Sequence, residues 1–106
     1  MSKGAHFRHR ADANHWEILR ELKKVTVVRD IHHSSGGMGD ILARHVRTKL
    51  PVFLEVKSKR TDELTETEAE FAFDFPESHF VVFTVEDAFL AIGVDTAASH
   101  ASLYMG

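Results

Sequence analysis

Two apolar stretches, residues 40–46 and 51–57, are separated by only Arg47, Thr48, Lys49 and Leu50. A connection that short joins antiparallel neighbours, because a parallel pair needs a crossover of roughly a dozen residues. The pair is therefore expected to be a β-hairpin, with Pro51 at the first position of its strand, where a missing N–H is tolerated. Residues 25–31 are also rich in β-branched side chains and read as a preceding strand. A flexible polar loop, His32 to Gly39, connects it to the hairpin.

Helical patterns flank this all-β stretch. Trp16, Ile18, Leu19 and Leu22 supply one apolar face, so a helix is expected from an Asp12 cap to about Lys24. After a polar loop, Thr65 and Glu68 have the spacing of a capping box and open a second helix carrying Ala69, Phe71, Ala72 and Phe75, which Pro76 ends. Residues 79–85 form an apolar run of strand length, and 86–92 suit a short helix or a final edge strand. The phenylalanines 71, 73, 75, 80 and 83 are expected mostly in the core. The order is α-β-β-β-α-β, a mixed α/β domain over 12–92. Residues 1–11 are expected to be a flexible basic arm and 93–106 a weakly ordered tail.

Composition bounds the function. A chain of 106 residues with 43% hydrophobic content supports one core. It has no cysteine, which excludes a disulfide scaffold, a thiolate metal site and a cysteine nucleophile. No apolar run approaches the ~20 residues that span a bilayer, and the first ten residues lack a signal-peptide core. A cytoplasmic protein without membrane contact is expected. The net charge of −3 conceals a division. All 13 Lys and Arg lie at or before Arg60, against six acids there, leaving +7, whereas the remainder carries ten acids and no Lys or Arg. Such a split either creates a basic face for a polyanion or interleaves in the fold and neutralises itself.

The chemistry concentrates on the hairpin. Glu55 and Lys57 are two apart on a strand and project to the same face, with Val56 opposite. Charges beside an apolar layer need a partner or a metal. If the pair closes through residues 47–50, antiparallel pairing places Asp40 roughly across from Lys57 and near Glu55. Two converging carboxylates are hard oxygen ligands for Mg²⁺, and a neighbouring lysine can orient or deprotonate a water. Phosphodiester hydrolysis is the chemistry such parts perform.

Gly39-Asp40, fourteen intervening residues, then Glu55-Val56-Lys57 resembles the PD-(D/E)xK nuclease signature. The element order is similar to that family's restriction-endonuclease-like core, in which helices flank a mixed central sheet. Leu64-Thr65-Glu66-Thr67-Glu68 resembles the opening of the second helix in VRR-NUC-type members. Arg29, Ser34-Ser35 and Asp40-Ile41-Leu42-Ala43 resemble archaeal-type Holliday junction resolvases. The resemblance implies metal ligation by Asp40, Glu55 and the Val56 carbonyl, with Lys57 acting on the water or on transition-state charge. It implies support from the first helix, where His15 stands at the usual acidic position and Glu17, about 200° around the helix, is the nearest acid. Glu68 replaces the usual Gln. Arg29 and Ser35 are implied DNA contacts, and Lys59 and Arg60 are placed to meet phosphate. The function implied is a Mg²⁺-dependent DNA endonuclease, with Mn²⁺ able to substitute and no organic cofactor. It would act on branched or structured DNA as a homodimer, in the manner of a small phage or mobile-element protein.

Two rival readings remain. One is a non-catalytic DNA- or protein-binding module on the same fold. The other is a histidine-based metal-binding protein, although His32-His33 has no partner at metal-ligand spacing in the sequence.

Overall fold

The computed structural model describes residues 3–34, 36–59 and 61–95. Among the described residues it is an α/β domain with three helices and a four-stranded mixed sheet. The elements run α1 (Lys3–Lys23), β1 (Val28–Asp30), β2 (Ile41–Arg44), β3 (Pro51–Val56), α2 (Glu66–Asp74), β4 (His79–Val82) and α3 (Val85–Ala91). The sheet order is β1-β2-β3-β4. The first three strands form an antiparallel meander, and β4 returns parallel to β3 after α2.

The expected hairpin is present, with Ile41 opposite Leu54 and Ala43 opposite Val52. Alternation along β3 sorts its side chains. Val52 and Leu54 join the aliphatic core with Ile18, Leu19 and Leu22 of α1, Val28, Ile41, Ala43 and Val82 of the other strands, and Ala88 and Ile92. Phe53, Glu55 and Lys57 project to the opposite side. There Phe53 meets Phe71 of α2, with ring centroids 5.3 Å apart. The sheet thus has an aliphatic face under α1 and α3 and a second face, part aromatic and part charged, beside α2.

Several expectations are corrected. Helix α1 begins at Lys3 rather than Asp12 and takes in most of the stretch expected to be an arm. Ala5, Arg8, Arg10 and Ala11 are good helix formers, and no proline interrupts them. The first strand starts at Val28, not Val25. The N–H groups of Val25 and Thr26 both donate to the Leu22 carbonyl, so the turn that closes α1 captures them before the sheet can. Phe73 and Phe75 are 84% and 48% exposed rather than core, because a nine-residue α2 buries none of its side chains fully.

The last segment is a helix, not an edge strand. Thr84 caps α3 and Asp87 completes a capping box, which the sequence reading overlooked. The box expected at Thr65 and Glu68 is present. Among the described residues no helix is long and apolar enough to cross a membrane. Residues 96–106 of the expected tail lie outside the described residues.

Candidate active site

Asp40, Glu55 and Lys57 come together at the open end of the β2–β3 hairpin. The paired register ends at Ile41 and Leu54, so Asp40 faces Glu55 one step beyond it rather than Lys57 as expected, because the strands pair up to Arg44 and Pro51 and the turn takes in residues 45–50. Two hydrogen bonds hold Asp40 there. Its N–H donates to the Leu54 carbonyl at 2.7 Å, and its Oδ2 accepts the Val56 N–H at 2.8 Å. The carboxylate thereby satisfies a backbone donor that the ladder has left behind.

Gly39 makes this approach possible. Its φ is +117°, and a Cβ there would lie 2.7 Å from the Leu54 carbonyl oxygen. A proline before Asp40, with φ locked near −65°, would not fit this bend. Gly37 performs the same service toward α2, where a side chain would run into the Thr67 carbonyl. The loop is seated between β3 and α2 by the absence of side chains.

Helix α2 contributes Glu68. Lys57 Nζ lies 3.1 Å from Glu68 Oε1 and 3.8 Å from Glu55 Oε2. Glu68 Oε1 also accepts the Thr65 N–H at 2.9 Å, so one side chain closes the capping box and holds the lysine. Glu68, unlike a glutamine, therefore gives Lys57 a charged partner.

The electrostatics follow from the crowding. Glu55 is almost fully buried and is pushed up to about 9, by burial first and then by the neighbouring carboxylates of Asp40 and Glu68. It is a neutral acid at pH 7, hydrogen-bonded to Glu68. Burial would pull the Lys57 ammonium down, but its hydrogen bond to Glu68 and the surrounding carboxylates outweigh this and hold it above its ordinary value. Burial would likewise raise Glu68, yet bonds from Thr65, Glu55 and Lys57 keep it below the usual range.

Asp40, Glu55 and Glu68 border a polar cleft of about 190 Å³, lined also by His32, Ser34, the glycine loop, Thr65 and Thr67, and Lys57 sits behind it against Glu55 and Glu68. The donor set suits a hard divalent cation, being made of carboxylate oxygens with one ammonium among three carboxyl groups. A proton now relieves the repulsion around Glu55, and a cation bound by Asp40 and Glu55 would relieve it instead.

The other expected residues are placed differently. His15 does not join Asp40. It is buried, with Nε2 3.1 Å from Asp30 Oδ1, because its helix packs against β1 rather than over the hairpin end. Glu17 is exposed on α1 and does not line the cleft. Arg29 is exposed, and its guanidinium donates to the Val28 carbonyl at 3.1 Å. Lys59 is exposed in a turn in which its N–H donates to Asp62 Oδ2 and the Asp62 N–H donates back to the Lys59 carbonyl. Ser35 and Arg60 lie outside the described residues.

The sequence reading missed Asn14, whose side-chain amide donates to the Phe83 carbonyl at 3.0 Å and ties α1 to the end of β4. It also missed Asp30, which binds two histidines. An Asp-x-His spacing at the end of a strand was the available signal.

No family model, no curated protein and no solved structure matches the chain.

Proposed function

We propose that the chain is a Mg²⁺-dependent DNA endonuclease built on a restriction-endonuclease-like core, with Mn²⁺ able to substitute. The convergence of Asp40, Glu55 and Lys57, held by the Asp40–Val56 hydrogen bond at the hairpin end, carries this reading. Asp40 and Glu55 would hold the ion, with the Val56 carbonyl beside them. The ion would supply Lewis acidity toward a phosphoryl oxygen and lower the pKa of a coordinated water. The water oxygen would bond to phosphorus as a P–O ester bond breaks, the water giving up one proton to solvent and the leaving oxygen taking one.

Lys57 stays an ammonium beside Glu68, which suits it to orienting the nucleophile and stabilising phosphoryl charge rather than removing a proton. Glu68 fixes the lysine, and the Gly37–Gly39 loop lets backbone line the cleft closely. Branched or structured DNA is the preferred substrate class, since a domain this small has little surface with which to read base edges. A homodimer would align two such sites for cutting two strands.

A non-catalytic DNA- or protein-binding module has one observation in its favour. The exposed side of α2 beside the cleft carries Glu66, Glu70 and Asp74, which repel a phosphate backbone. A panel of linear duplex, single strand, flap and four-way junction separates the two. In Mg²⁺, the wild type is expected to cut at least one of them. Glu55→Gln should abolish cutting and Lys57→Ala should reduce it by ~10²-fold or more. Binding without cutting, unchanged in both variants, sinks the nuclease reading.

A further inference from the structure

Asp30, at the end of β1, has two imidazoles on one oxygen. His15 Nε2 reaches its Oδ1 at 3.1 Å from α1, and His32 Nδ1 reaches the same atom at 2.6 Å from the turn that follows. The His32 N–H donates to that oxygen as well, at 3.2 Å, which fixes the turn. The three donor atoms lie within 4.8 Å of one another. We propose that His15, Asp30 and His32 form a binding site for a borderline divalent transition cation of the Zn²⁺ class, distinct from the all-oxygen set at Asp40 and Glu55 and open to the same cleft through His32.

The donor chemistry selects the ion. Two imidazole nitrogens and one carboxylate suit Zn²⁺ and its neighbours, whereas Mg²⁺ favours oxygen donors and keeps several waters. Ligand bonds to Zn²⁺ of ~2.0–2.2 Å put tetrahedral donors about 3.4 Å apart, so the 3.1 and 2.6 Å contacts to Asp30 would open by a few tenths of an ångström to admit the ion. Three protein ligands would leave a fourth position for water or an incoming group.

The surroundings preorganise the donors. His15 is buried, and only about an eighth of the His32 side chain is exposed (12%). The Trp16 ring meets both imidazoles edge to face, at centroid distances of 4.7 and 5.7 Å, and His33 lies against His32 at 3.8 Å. These rings pack against the imidazoles and restrict their rotation, while Asp30, 26% exposed, keeps the site open to solvent. In the absence of an ion, the same side chains form a hydrogen-bonded triad, whose ring protons a cation would displace.

The site is tested on the full chain without a histidine tag, stripped with chelator and titrated calorimetrically with Zn²⁺ in the absence of DNA. One ion per chain is expected, not displaced by a large excess of Mg²⁺. At a hundredfold excess of free Zn²⁺ over Kd, the melting temperature should rise by roughly 10 °C or more. Co²⁺ should give the visible absorption of a low-coordinate site. His32→Ala and Asp30→Asn should each weaken binding by at least ~tenfold, while Glu55→Gln leaves it intact. Asp30→Asn keeps a hydrogen-bond acceptor, so it carries the test if His32→Ala does not fold. No uptake, unchanged uptake in both ligand variants, or uptake lost in Glu55→Gln but kept in His32→Ala would each overturn the assignment. None of these readings depends on whether the chain cuts DNA.

Discussion

Glu55→Gln should make the metal-free protein more stable at neutral pH, although it removes a central group of the candidate active site. Glu55 is 4% exposed and faces Asp40 and Glu68. Its carboxyl is pushed from 4.5 up to about 9, so across that window the folded chain holds a proton that the unfolded chain has released. More protons are then bound by the folded state, and stability falls as pH rises. The contribution is fully present below about pH 4.5 and is lost progressively up to about pH 9. Each pH unit in this window costs at most ~1.4 kcal/mol, which sets a ceiling of ~3 kcal/mol at pH 7. The cleft admits solvent, and screening reduces this to ~1–2 kcal/mol. Glutamine has nearly the same shape, carries no titrating proton, and can donate its amide N–H to Glu68 where the protonated acid does now. Urea unfolding in chelator between about pH 5 and 8 reads the difference. The variant should exceed wild type by ~1–2 kcal/mol at pH 7, with the gap closing toward pH 5. Parallel pH curves, or a gap that widens on acidification, would refute the argument that carboxylate crowding dominates Glu55.

Two further outcomes test how the site is held. Gly39→Ala should destabilise the fold by ~2 kcal/mol or more, because it combines a positive φ with a Cβ 2.7 Å from the Leu54 carbonyl oxygen. Gly36→Ala, at φ +86° with open space around it, should cost less, and equal urea midpoints for the two variants would contradict this. Thr65→Ala removes the hydroxyl that accepts the Glu68 N–H at 3.2 Å and should cost about 1 kcal/mol. Amide exchange in α2 should accelerate with it, and unchanged exchange would show that the capping box does not hold the helix.

Much of the architecture was legible because local signals agreed with one another. The four-residue connection after Val46 implied a hairpin, and the spacing of Thr65 and Glu68 implied a cap. The i, i+2 rule put Glu55 and Lys57 on one face. Boundaries failed where two elements compete for the same backbone. Residues 25–27 are β-branched, but the Leu22 carbonyl takes the N–H groups of Val25 and Thr26 first. Phe73 and Phe75 read as core because aromatic residues usually are, yet a short α2 cannot turn that many rings inward. The destination of His15 was not legible. Helical periodicity says which side chains face the sheet but not which strand end lies beneath each, and the choice between Asp30 and Asp40 is tertiary.

The two faces of the sheet explain why charged groups can be kept at its centre. The aliphatic residues of α1 and α3 pack against Val28, Ile41, Ala43, Val52, Leu54 and Val82, so burial on that side stabilises the fold largely without help from the other. The opposite face is then free to hold groups that would weaken a conventional core. Phe53, Phe71 and His79 cover part of it, and the rest is occupied by Glu55, Lys57 and Glu68. Helix α2 has no fully buried residue and is fastened by its capping box, the Lys57–Glu68 pair and the Phe71 contacts. Its position is thus coupled to the charge state of the cleft. A cation that displaces the proton on Glu55 would change the hydrogen bond to Glu68, and through Glu68 the grip on both Lys57 and the start of α2. If the proposed cation binds there, the lysine, the helix and the ion would be adjusted together, so that the cation would set the position of the proposed nucleophile-orienting group.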